Sequence, residues 1–260
     1  MREDNLSVLF LSSEVYPFAK TGGLADVAGS LPKALSEKGC RVCVMLPLYK
    51  KIFSENFALE KLFEIEVPMG DEVKKGIVYK SFLDPGRKIP AFLIWQKEYF
   101  DRENLYGDEY GDFPDNAERF SFFCRAALSI LPRTGYKFQI IHCNDWQTAL
   151  VPLYLKHFFS DQDYYKGIGT LFTIHNLAYQ GIFPREKLRV LGLGEEFFTF
   201  TRLEFWGKIN LMKAGLIYAD VINTVSPTYS REIQTPDFGF GLDGVLRERK
   251  KDLYGILNGI

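Results

Sequence analysis

Short apolar segments of strand length alternate with segments of helical periodicity along this chain, and this alternation limits the fold more than any other feature of the sequence. The predicted strands are 7–12, 40–46, 138–143, 169–174 and 220–225. Parallel strands need long crossover connections, so strands that alternate with helices favour a mostly parallel sheet with helices on both faces. The sequence therefore predicts an α/β fold with a doubly wound sheet.

The helices between these strands carry start signals. Asp115 and Glu118 resemble a capping box that precedes an apolar helical stripe. Ser226 is the expected N-cap of a helix that begins at Pro227, because proline is favoured at the first helical position. Further helices are predicted at 24–38, 146–157 and 208–218.

A different pattern occupies residues 59–95. Strand-like pieces at 62–67, 76–82 and 91–95 follow one another without an intervening helix, which predicts a β-hairpin-rich insertion. No internal repeat, low-complexity run or linker divides the sequence, so residues 1–260 are expected to form one domain.

The composition excludes several classes of protein. A chain that is 47% hydrophobic and 25% charged is typical of a globular domain rather than a disordered one. A formal net charge of -1 provides no field that would attract nucleic acid or a membrane surface, so neither is predicted as a partner. Residues 1–5 are mostly charged and no apolar run is long enough to span a membrane, so a cytoplasmic location is expected.

The cysteines do not predict a metal site. Cys40 and Cys43 form a C-x-x-C, but they lie in a predicted strand, where side chains three residues apart point to opposite faces. No second cysteine pair is present to complete a zinc site, and Cys124 and Cys143 are isolated in sequence. We therefore expect free thiols in a reducing compartment and no metal.

A glycine pair joins the first predicted strand to the first helix, in the stretch Lys20-Thr-Gly-Gly-Leu24. At such a junction unpaired backbone N–H groups and the helix dipole point at the same place, which makes an anion site. Two glycines also make a tight turn without any ligand, and the stretch matches neither G-x-G-x-x-G nor the P-loop. The local pattern leaves both interpretations open.

Polar side chains follow several predicted strands where each strand ends. His142 and Asp145 follow one strand, and His175 and Asn176 follow the next. In open parallel sheets, ligands bind at this carboxyl edge. Asp145 could equally cap the helix after it, whereas no helix directly follows His175 and Asn176, which favours ligand binding there.

The chemistry of these groups favours ligands that carry hydroxyl groups. Hydroxyl, amide and imidazole groups dominate over paired carboxylates, and neither a nucleophile elbow nor a Cys–His pair is present. Next to an anion site, such groups suit a nucleotide-sugar or a phosphosugar.

Five stretches resemble the N-terminal half of bacterial glycogen synthase and its plant relative, starch synthase: SSEVYPFAKTGGLADVAGSLPKAL, HCNDWQTALVPLYL, FTIHNLAYQGIFP, LMKAGLIYADVINTVSPTYSREI and GILNGI. They occur in the family's order over essentially the whole chain. The resemblance implies a GT-B fold, in which two Rossmann-like domains face each other across a cleft, and residues 1–260 would be the N-terminal one. It also implies a retaining glucosyltransferase that moves glucose from ADP-glucose to the non-reducing end of an α-1,4-glucan, glycogen or starch, without a cofactor.

The resemblance implies a donor-binding role for the glycine stretch. Lys20 and the backbone at Gly22 and Gly23 would lie against the diphosphate of ADP-glucose, and Asp26 would lie near the bound glucose. Amides at a helix terminus supply fixed dipoles where charge develops, so they can stabilise the departing ADP.

The same resemblance assigns roles to residues at the strand ends. His175 matches a histidine that contacts the transferred glucose, and its backbone carbonyl would face the anomeric carbon. Asn176 would lie beside it, and Asp145 matches an acidic residue near the sugar hydroxyls. Tyr106 matches an aromatic contact to the substrate. His175 and Asp145 are therefore the expected catalytic residues.

The sequence stops where the family's chain crosses into its C-terminal, nucleotide-binding domain, which we expect as the missing partner. Because differential binding of the transition state needs groups from both halves, our hypothesis is that the isolated domain folds but does not turn over.

Two alternatives remain open. The same fold could use UDP-glucose, since the base is read mainly by the other half. The chain could also be a stand-alone glucan-binding domain in which Tyr106, Tyr110, Phe113 and Trp206 serve as stacking platforms for sugars.

Overall fold

The structure of the chain is a computed structural model that describes residues 5–84, 86 and 89–259. Most of the charged N-terminal segment, residues 1–4, lies outside the described residues, as does Ile260 at the end of the last motif.

The secondary structure alternates between strands and helices. The strands are β1 (Ser7–Leu11), β2 (Arg41–Pro47), β3 (Glu60–Met69), β4 (Glu72–Asp84), β5 (Ile89–Trp95), β6 (Gly107–Asp108), β7 (Gly111–Asp112), β8 (Ile140–Asn144), β9 (Gly169–Ile174), β10 (Ile182–Pro184), β11 (Glu204–Phe205), β12 (Lys208–Asn210), β13 (Val221–Thr224) and β14 (Leu253–Gly255). The helices are α1 (Gly23–Glu37), α2 (Lys50–Ser54), α3 (Lys97–Phe100), α4 (Asn116–Ile130), α5 (Leu150–Tyr154), α6 (Lys187–Val190), α7 (Leu211–Tyr218), α8 (Pro227–Glu232) and α9 (Asp243–Glu248). Short 3-10 and π segments flank α5, at Trp146–Thr148 and Leu155–Phe159.

One large sheet organises the molecule, with the strand order β14-β13-β9-β8-β1-β2-β5-β4-β3. Every neighbouring pair from β14 to β5 is parallel. Strands β4 and β3 are antiparallel and extend one edge of the sheet. The prediction of a mostly parallel sheet is confirmed, and the β-rich stretch is a hairpin that belongs to this sheet rather than a separate layer.

The helices cover both faces of the sheet. The chain moves along the sheet in one direction from β1 through α1 to β2. It moves in the other direction from β8 through α5 to β9, and again from β9 through α7 to β13. Right-handed crossovers in opposite directions place α1 on one face and α5 and α7 on the other. Helix α5 packs against both α4 and α7, and all five residues of β1 are buried beneath these layers.

Two local predictions are wrong. Asp115 makes no capping bond, because its carboxylate binds the Arg102 guanidinium at 2.8 and 2.5 Å, and Glu118 pairs with Lys187. The helix predicted at 208–218 begins only at Leu211, since residues 208–210 pair in a small antiparallel sheet. The prediction at 226–227 is confirmed, because the Ser226 hydroxyl accepts a hydrogen bond from the Tyr229 N–H.

The cysteines Cys40, Cys43, Cys124 and Cys143 are free, and burial raises the pKa of the Cys43 thiol to about 12. Among the described residues, no group of three or more His, Cys, Asp or Glu side chains is arranged to hold a metal ion. In the same part of the chain, no helix combines the length and the apolar character needed to cross a bilayer.

Packing between α7 and β9 yields a stability prediction. A Cβ atom at Gly215 would lie 2.6 Å from the ring of Phe172, which is fully buried. We expect Gly215→Ala to lower the free energy of unfolding by about 1–3 kcal/mol, although alanine is normally the better helix former. Urea unfolding measures the change, with Gly244→Ala in α9 as the matched control, since a Cβ there meets only the Arg247 side chain at 3.9 Å. Equal stability of the two variants would contradict the packing argument.

Candidate active site

A cavity of about 540 Å³ lies at the carboxyl edge of the main sheet. Loops that follow β1, β8, β9, β13 and β14 form its walls, together with the start of α1. It is lined by Glu14, Thr21, Gly22, Gly23, Leu24, Tyr106, Asp112, Asp145, Trp146, Gln147, His175, Asn176, Tyr179, Val225 and Asn258. Six of the eight predicted site residues therefore meet in one cavity, namely Gly22, Gly23, Tyr106, Asp145, His175 and Asn176.

The N-terminus of α1 opens into this cavity. Helix α1 begins at Gly23, and its N-cap, Gly22, has no side chain to satisfy the first amides. A Cβ atom at Gly22 or Gly23 would meet nothing within 4 Å, so both glycines border open space. Unpaired amides and the positive end of the helix dipole favour an anion at such a position. The loop thus has both the room and the polarity for a phosphate group.

The carboxylate of Glu14 binds the loop that leads into α1, residues 20–23, which we call the glycine loop. Glu14 is buried, and its two oxygens accept hydrogen bonds from the Thr21 N–H, the Thr21 hydroxyl at 2.7 Å and the Gly22 N–H at 3.2 Å. The Tyr106 hydroxyl donates a further bond to Glu14 at 2.7 Å. The Gly22 amide is thereby already engaged, which leaves the amides that begin α1 to face an incoming anion.

Tyr106 also lines the cavity, and polar contacts fix both its hydroxyl and its backbone carbonyl. Its hydroxyl is also 2.7 Å from the Ser13 hydroxyl, and its carbonyl accepts a hydrogen bond from Asn116 at 2.8 Å. Burial raises the pKa of the Tyr106 phenol well above its ordinary value, and the nearby Tyr49 and Glu14 add to this effect. The phenol therefore keeps its proton at neutral pH.

Asp145 has a backbone conformation that glycine normally occupies, with φ 54° and ψ -180°. Such conformations cost about 1–3 kcal/mol and persist only where the surroundings hold them. The Asp145 N–H donates to the Thr173 carbonyl at 3.0 Å, and the Asp145 side chain accepts from the His175 N–H at 2.8 Å. The carboxylate makes no capping bond, so the helix-cap interpretation of Asp145 is wrong.

Protonation equilibria near this cavity are shifted by burial. Burial raises the pKa of Asp145 to about 7, although the His175 and Asn176 amides act in the opposite direction. Burial lowers the pKa of His175 to about 4, and burial together with His175 lowers that of His142 to about 3. Both imidazoles are therefore neutral at pH 7, while Asp145 titrates close to neutrality.

The imidazole of His175 is oriented by Asn144. His175 Nε2 lies 2.9 Å from Asn144 Oδ1, and the Asn144 amide nitrogen donates to the Leu11 carbonyl at 2.9 Å. Because that second bond assigns the amide oxygen to the His175 side, Nε2 carries the proton and Nδ1 is left as an acceptor. The neighbouring Asn176 side chain accepts from the Ala178 N–H at 3.0 Å, which shapes the turn after β9.

His142 belongs to a buried polar chain beneath the cavity. Its Nε2 lies 2.6 Å from the Thr173 hydroxyl, which donates to Asn223 Oδ1 at 2.5 Å. His142 does not line the 540 Å³ cavity, although it does line a neighbouring cavity of about 800 Å³.

Lys20 and Asp26 lie outside the 540 Å³ cavity. Lys20 Nζ is 2.7 Å from Asp26 Oδ1, and both side chains are largely exposed. Asp26 lines the neighbouring cavity instead, which shares His175 with the first one. The roles of Lys20 and Asp26 stay predictions.

The four proposed sugar platforms do not form one surface. Tyr110 and Trp206 are 90% and 83% exposed, but they lie in separate loops. The Phe113 ring packs under the Arg102 guanidinium at 4.7 Å, and the Tyr106 ring packs against Phe120.

Nine residues that line the cavity were not predicted as site residues from the sequence, and four of them are Glu14, Trp146, Gln147 and Asn258. Glu14 carried a usable signal, because a glutamate that directly follows an apolar strand and two serines must find buried partners. Trp146 and Gln147 come directly after the predicted site residue Asp145, and Asn258 lies in the motif GILNGI. None of the three has a sequence pattern that indicates ligand binding.

The fold and this cavity define a doubly wound α/β domain with a cavity at the carboxyl edge of its parallel sheet, the edge at which domains of this class bind ligands. Comparison with known proteins specifies the family. The family model described as the starch synthase catalytic domain matches residues 7–248, so the chain belongs to that family.

Individual relatives agree with this assignment. A glycogen synthase from Geotalea daltonii is 50% identical over 256 residues, which are 98% of this chain and 52% of the relative. One from Moorella thermoacetica is 49% identical over 255 residues, or 98% and 50% of the two chains. The catalytic domain of starch synthase IV from Arabidopsis thaliana, solved bound to ADP and acarbose, superposes with a TM-score of 0.88 at 33% identity and covers 98% of this chain. This chain covers 52% of that structure, and the superposition confirms the predicted doubly wound, mostly parallel sheet of the GT-B starch synthase fold. The chain spans about half the length of the curated relatives that it matches.

Replacement of Glu14 tests its role in holding the glycine loop. We expect Glu14→Ala to lower the free energy of unfolding by about 2–4 kcal/mol, because it leaves several donors without their charged acceptor. Urea unfolding of the 260-residue chain measures the loss, with Glu109→Ala, an exposed carboxylate, as the control. Equal stability of the two variants would show that the loop does not depend on Glu14.

The raised pKa of Asp145 predicts a pH-dependent difference in stability between the wild type and Asp145→Asn. The folded protein holds the proton of Asp145 more tightly than the unfolded chain does, so the wild type loses stability relative to Asp145→Asn as pH rises from about 4 to about 7. The difference in free energy of unfolding changes by at most about 1 kcal/mol per pH unit, because the carboxylate faces the cavity and solvent there screens its charge.

Urea unfolding of both proteins between pH 4 and pH 8 measures this difference. His142 and His175 titrate in both proteins, so their contribution cancels in the difference between the two free energies of unfolding. Parallel stability profiles would contradict the shifted pKa.

Proposed function

We propose that this chain is the N-terminal half of a glucosyltransferase that moves glucose from ADP-glucose to the non-reducing end of an α-1,4-glucan, with retention of configuration. The observation that carries the proposal is the cavity in which the uncapped start of α1 and the strand-end residues Asp145 and His175 meet. It occurs in a chain that is 50% identical to a glycogen synthase. The ADP and acarbose bound by the Arabidopsis relative support an adenine nucleotide and a sugar chain as ligands of this class.

The reaction breaks one bond and forms one. The bond from the anomeric carbon of glucose to the β-phosphate oxygen of ADP-glucose breaks, and the anomeric carbon bonds to the 4-hydroxyl oxygen of the terminal glucose of the glucan. The hydroxyl proton passes to the departing phosphate on the same face of the sugar. No group in the cavity is needed as a covalent nucleophile in this scheme, which passes through an ion-pair-like transition state.

The glycine loop stabilises the leaving group in this proposal. The amides that begin α1 are fixed dipoles aimed at open space beside Gly22 and Gly23, and their orientation does not have to change as negative charge grows on ADP. Lys20 would add a positive charge from the rim if its ion pair with Asp26 opens, which would also release Asp26 toward the glucose.

The strand-end residues act on the sugar. The neutral His175 offers the Nδ1 lone pair to a glucose hydroxyl, and its backbone carbonyl stabilises positive charge at the anomeric carbon. Asp145 and Asn176 orient the sugar hydroxyls, and the Tyr106 phenol contributes an uncharged hydrogen-bonding group. No metal or other cofactor has a role in this mechanism.

The proposal includes a partner for the open side of the cavity. A second, nucleotide-binding half, which the longer relatives have room for, would bind the adenosine end of the donor, and the 260-residue chain alone would not turn over. The preference for ADP-glucose over UDP-glucose, the cytoplasmic location and the lack of nucleic-acid and membrane partners stay predictions.

Transfer of labelled glucose into glycogen tests the proposal. We expect the chain joined to the second half of the Geotalea daltonii relative to use ADP-glucose in preference to UDP-glucose, and the 260-residue chain alone to be inactive. Removal of one group that stabilises the transition state costs roughly 10²–10³-fold in kcat, so His175→Ala should fall in that range. His157→Ala is the control, because His157 packs between Phe197 and Tyr218 and does not line the cavity.

Two outcomes would overturn the proposal. Glucan binding without transfer by the joined chain would favour a binding domain, and transfer by the 260-residue chain alone would place the donor site entirely within this half.

A further inference from the structure

Gln147 lies in the wall of the candidate active site, and its side-chain amide has no assigned role. Gln147 is only 7% exposed, yet it contributes to the lining of the 540 Å³ cavity. Its Oε1 atom is buried without a hydrogen-bond partner. Within the described residues, no hydrogen bond involves the Gln147 side-chain amide, whereas its backbone carbonyl accepts one from the Cys124 thiol at 3.3 Å.

Other buried amides in the described chain are used to hold the fold together. The Gln180 and Asn210 amides bond to each other at 2.6 Å, and Gln96 Oε1 accepts from the Tyr99 N–H at 2.8 Å. The Asn116 amide bonds to two residues, Tyr106 and Arg119, and the Asn144 amide bonds to three, Leu11, His142 and His175. An unpartnered amide among so many satisfied ones needs a physical explanation, because buried polar atoms without partners destabilise a fold.

The residues on either side of Gln147 are fixed by packing and hydrogen bonds, so the missing partner of its amide does not result from a loosely packed segment. Trp146, the residue before it, packs its ring against Phe120 at 5.1 Å and Phe183 at 5.7 Å between centroids. Thr148, the residue after it, donates its hydroxyl to the Asn144 carbonyl at 2.8 Å. The residues on both sides of Gln147 are therefore fixed, which fixes the point from which its side chain extends.

We propose that Gln147 binds a glucose hydroxyl in this cavity, either on the transferred glucose or on the terminal glucose of the acceptor chain. This inference rests on the proposed function. A hydroxyl both donates and accepts, so it can supply the donor that Oε1 lacks and also pair with the amide nitrogen. Phosphate oxygens only accept and cannot satisfy Oε1, so Gln147 recognises the sugar rather than the diphosphate.

The test compares Gln147→Leu with Gln162→Leu in the chain joined to the second half of the Geotalea daltonii relative. Gln162 is an exposed glutamine outside the cavity lining and serves as the matched control. Loss of one hydrogen bond to a neutral group corresponds to about a three- to tenfold change in affinity. We expect Gln147→Leu to raise the KM for one substrate by that factor, and Gln162→Leu to leave both KM values unchanged.

The substrate whose KM rises identifies the sugar that Gln147 contacts. A raised KM for ADP-glucose places the contact on the transferred glucose, and a raised KM for glycogen places it on the acceptor. Either result supports the inference.

Thermal unfolding of the 260-residue chain separates binding from a structural role. Because the Gln147 amide has no partner to lose, Gln147→Leu should unfold at the same temperature as the wild type or a higher one. A lower unfolding temperature would mean that the amide supports the fold, and it would overturn the inference.

The kinetic results also separate this inference from the proposed function. Unchanged KM values in an active joined chain would overturn the role of Gln147 and leave the proposed function intact. A joined wild-type chain that folds but transfers no glucose would overturn the proposed function and the inference with it.

Discussion

The parallel pairing of β1, β8 and β9 determines where three central groups of the candidate active site lie: Glu14, Asp145 and His175. Leu11 in β1 pairs with Cys143 in β8, and Asn144 pairs with Thr173 in β9. The three strands therefore end side by side, and the loops that carry Glu14, Asp145 and His175 leave the sheet at one edge. No single loop makes the site, so its geometry depends on the register of the central sheet.

Two carboxylates in this site are held in different ways. Glu14 is buried but accepts hydrogen bonds from backbone and side-chain donors of the glycine loop, so its charge is used to position Thr21 and Gly22. Asp145 faces the cavity, and burial raises its pKa to about 7. One carboxylate thus stabilises the loop, and the other can bind a sugar hydroxyl either as a donor or as an acceptor near neutral pH.

The neutral imidazole of His175 is also suited to a ligand that carries hydroxyl groups. His175 loses its charge through burial, and Asn144 fixes which ring nitrogen carries the proton. An uncharged ring with a free lone pair suits a hydroxyl ligand and adds no charge beside a carbon on which positive charge develops. The start of α1, whose polarity favours an anion, is a different element, so the phosphate and sugar ends of a donor would meet groups of different character.

Much of the fold could be predicted from the sequence because local signals and tertiary structure agree. The strand at 169–174 has the predicted bounds, and Ser226 caps α8 as its sequence indicates. Predictions failed where distant residues compete for a group. Arg102 takes the carboxylate of Asp115 that would have capped α4, and residues 208–210 form a strand because Pro184 and Phe205 pair with Lys208 across the small sheet.

The contrast between local signals and contacts of distant residues also explains which residues of the candidate site could be predicted. Residues in a recognisable motif, such as Gly22, Gly23 and His175, were predicted and line the cavity. Glu14 was not selected, because its partners Thr21, Gly22 and Tyr106, the last of them 92 positions away, are identified only when the chain is folded. Gln147 could not be selected either, since a missing hydrogen bond is visible only once all neighbours are placed.

The most direct test of the central claim is to map ligand binding by amide chemical shifts in the 260-residue chain, with millimolar ADP-glucose and maltohexaose. The account predicts that the largest changes fall at 21–24, 144–147 and 175–176, the segments that form the cavity. Changes confined to another region, such as the separate cavity lined by Phe200 and Trp206, would contradict it.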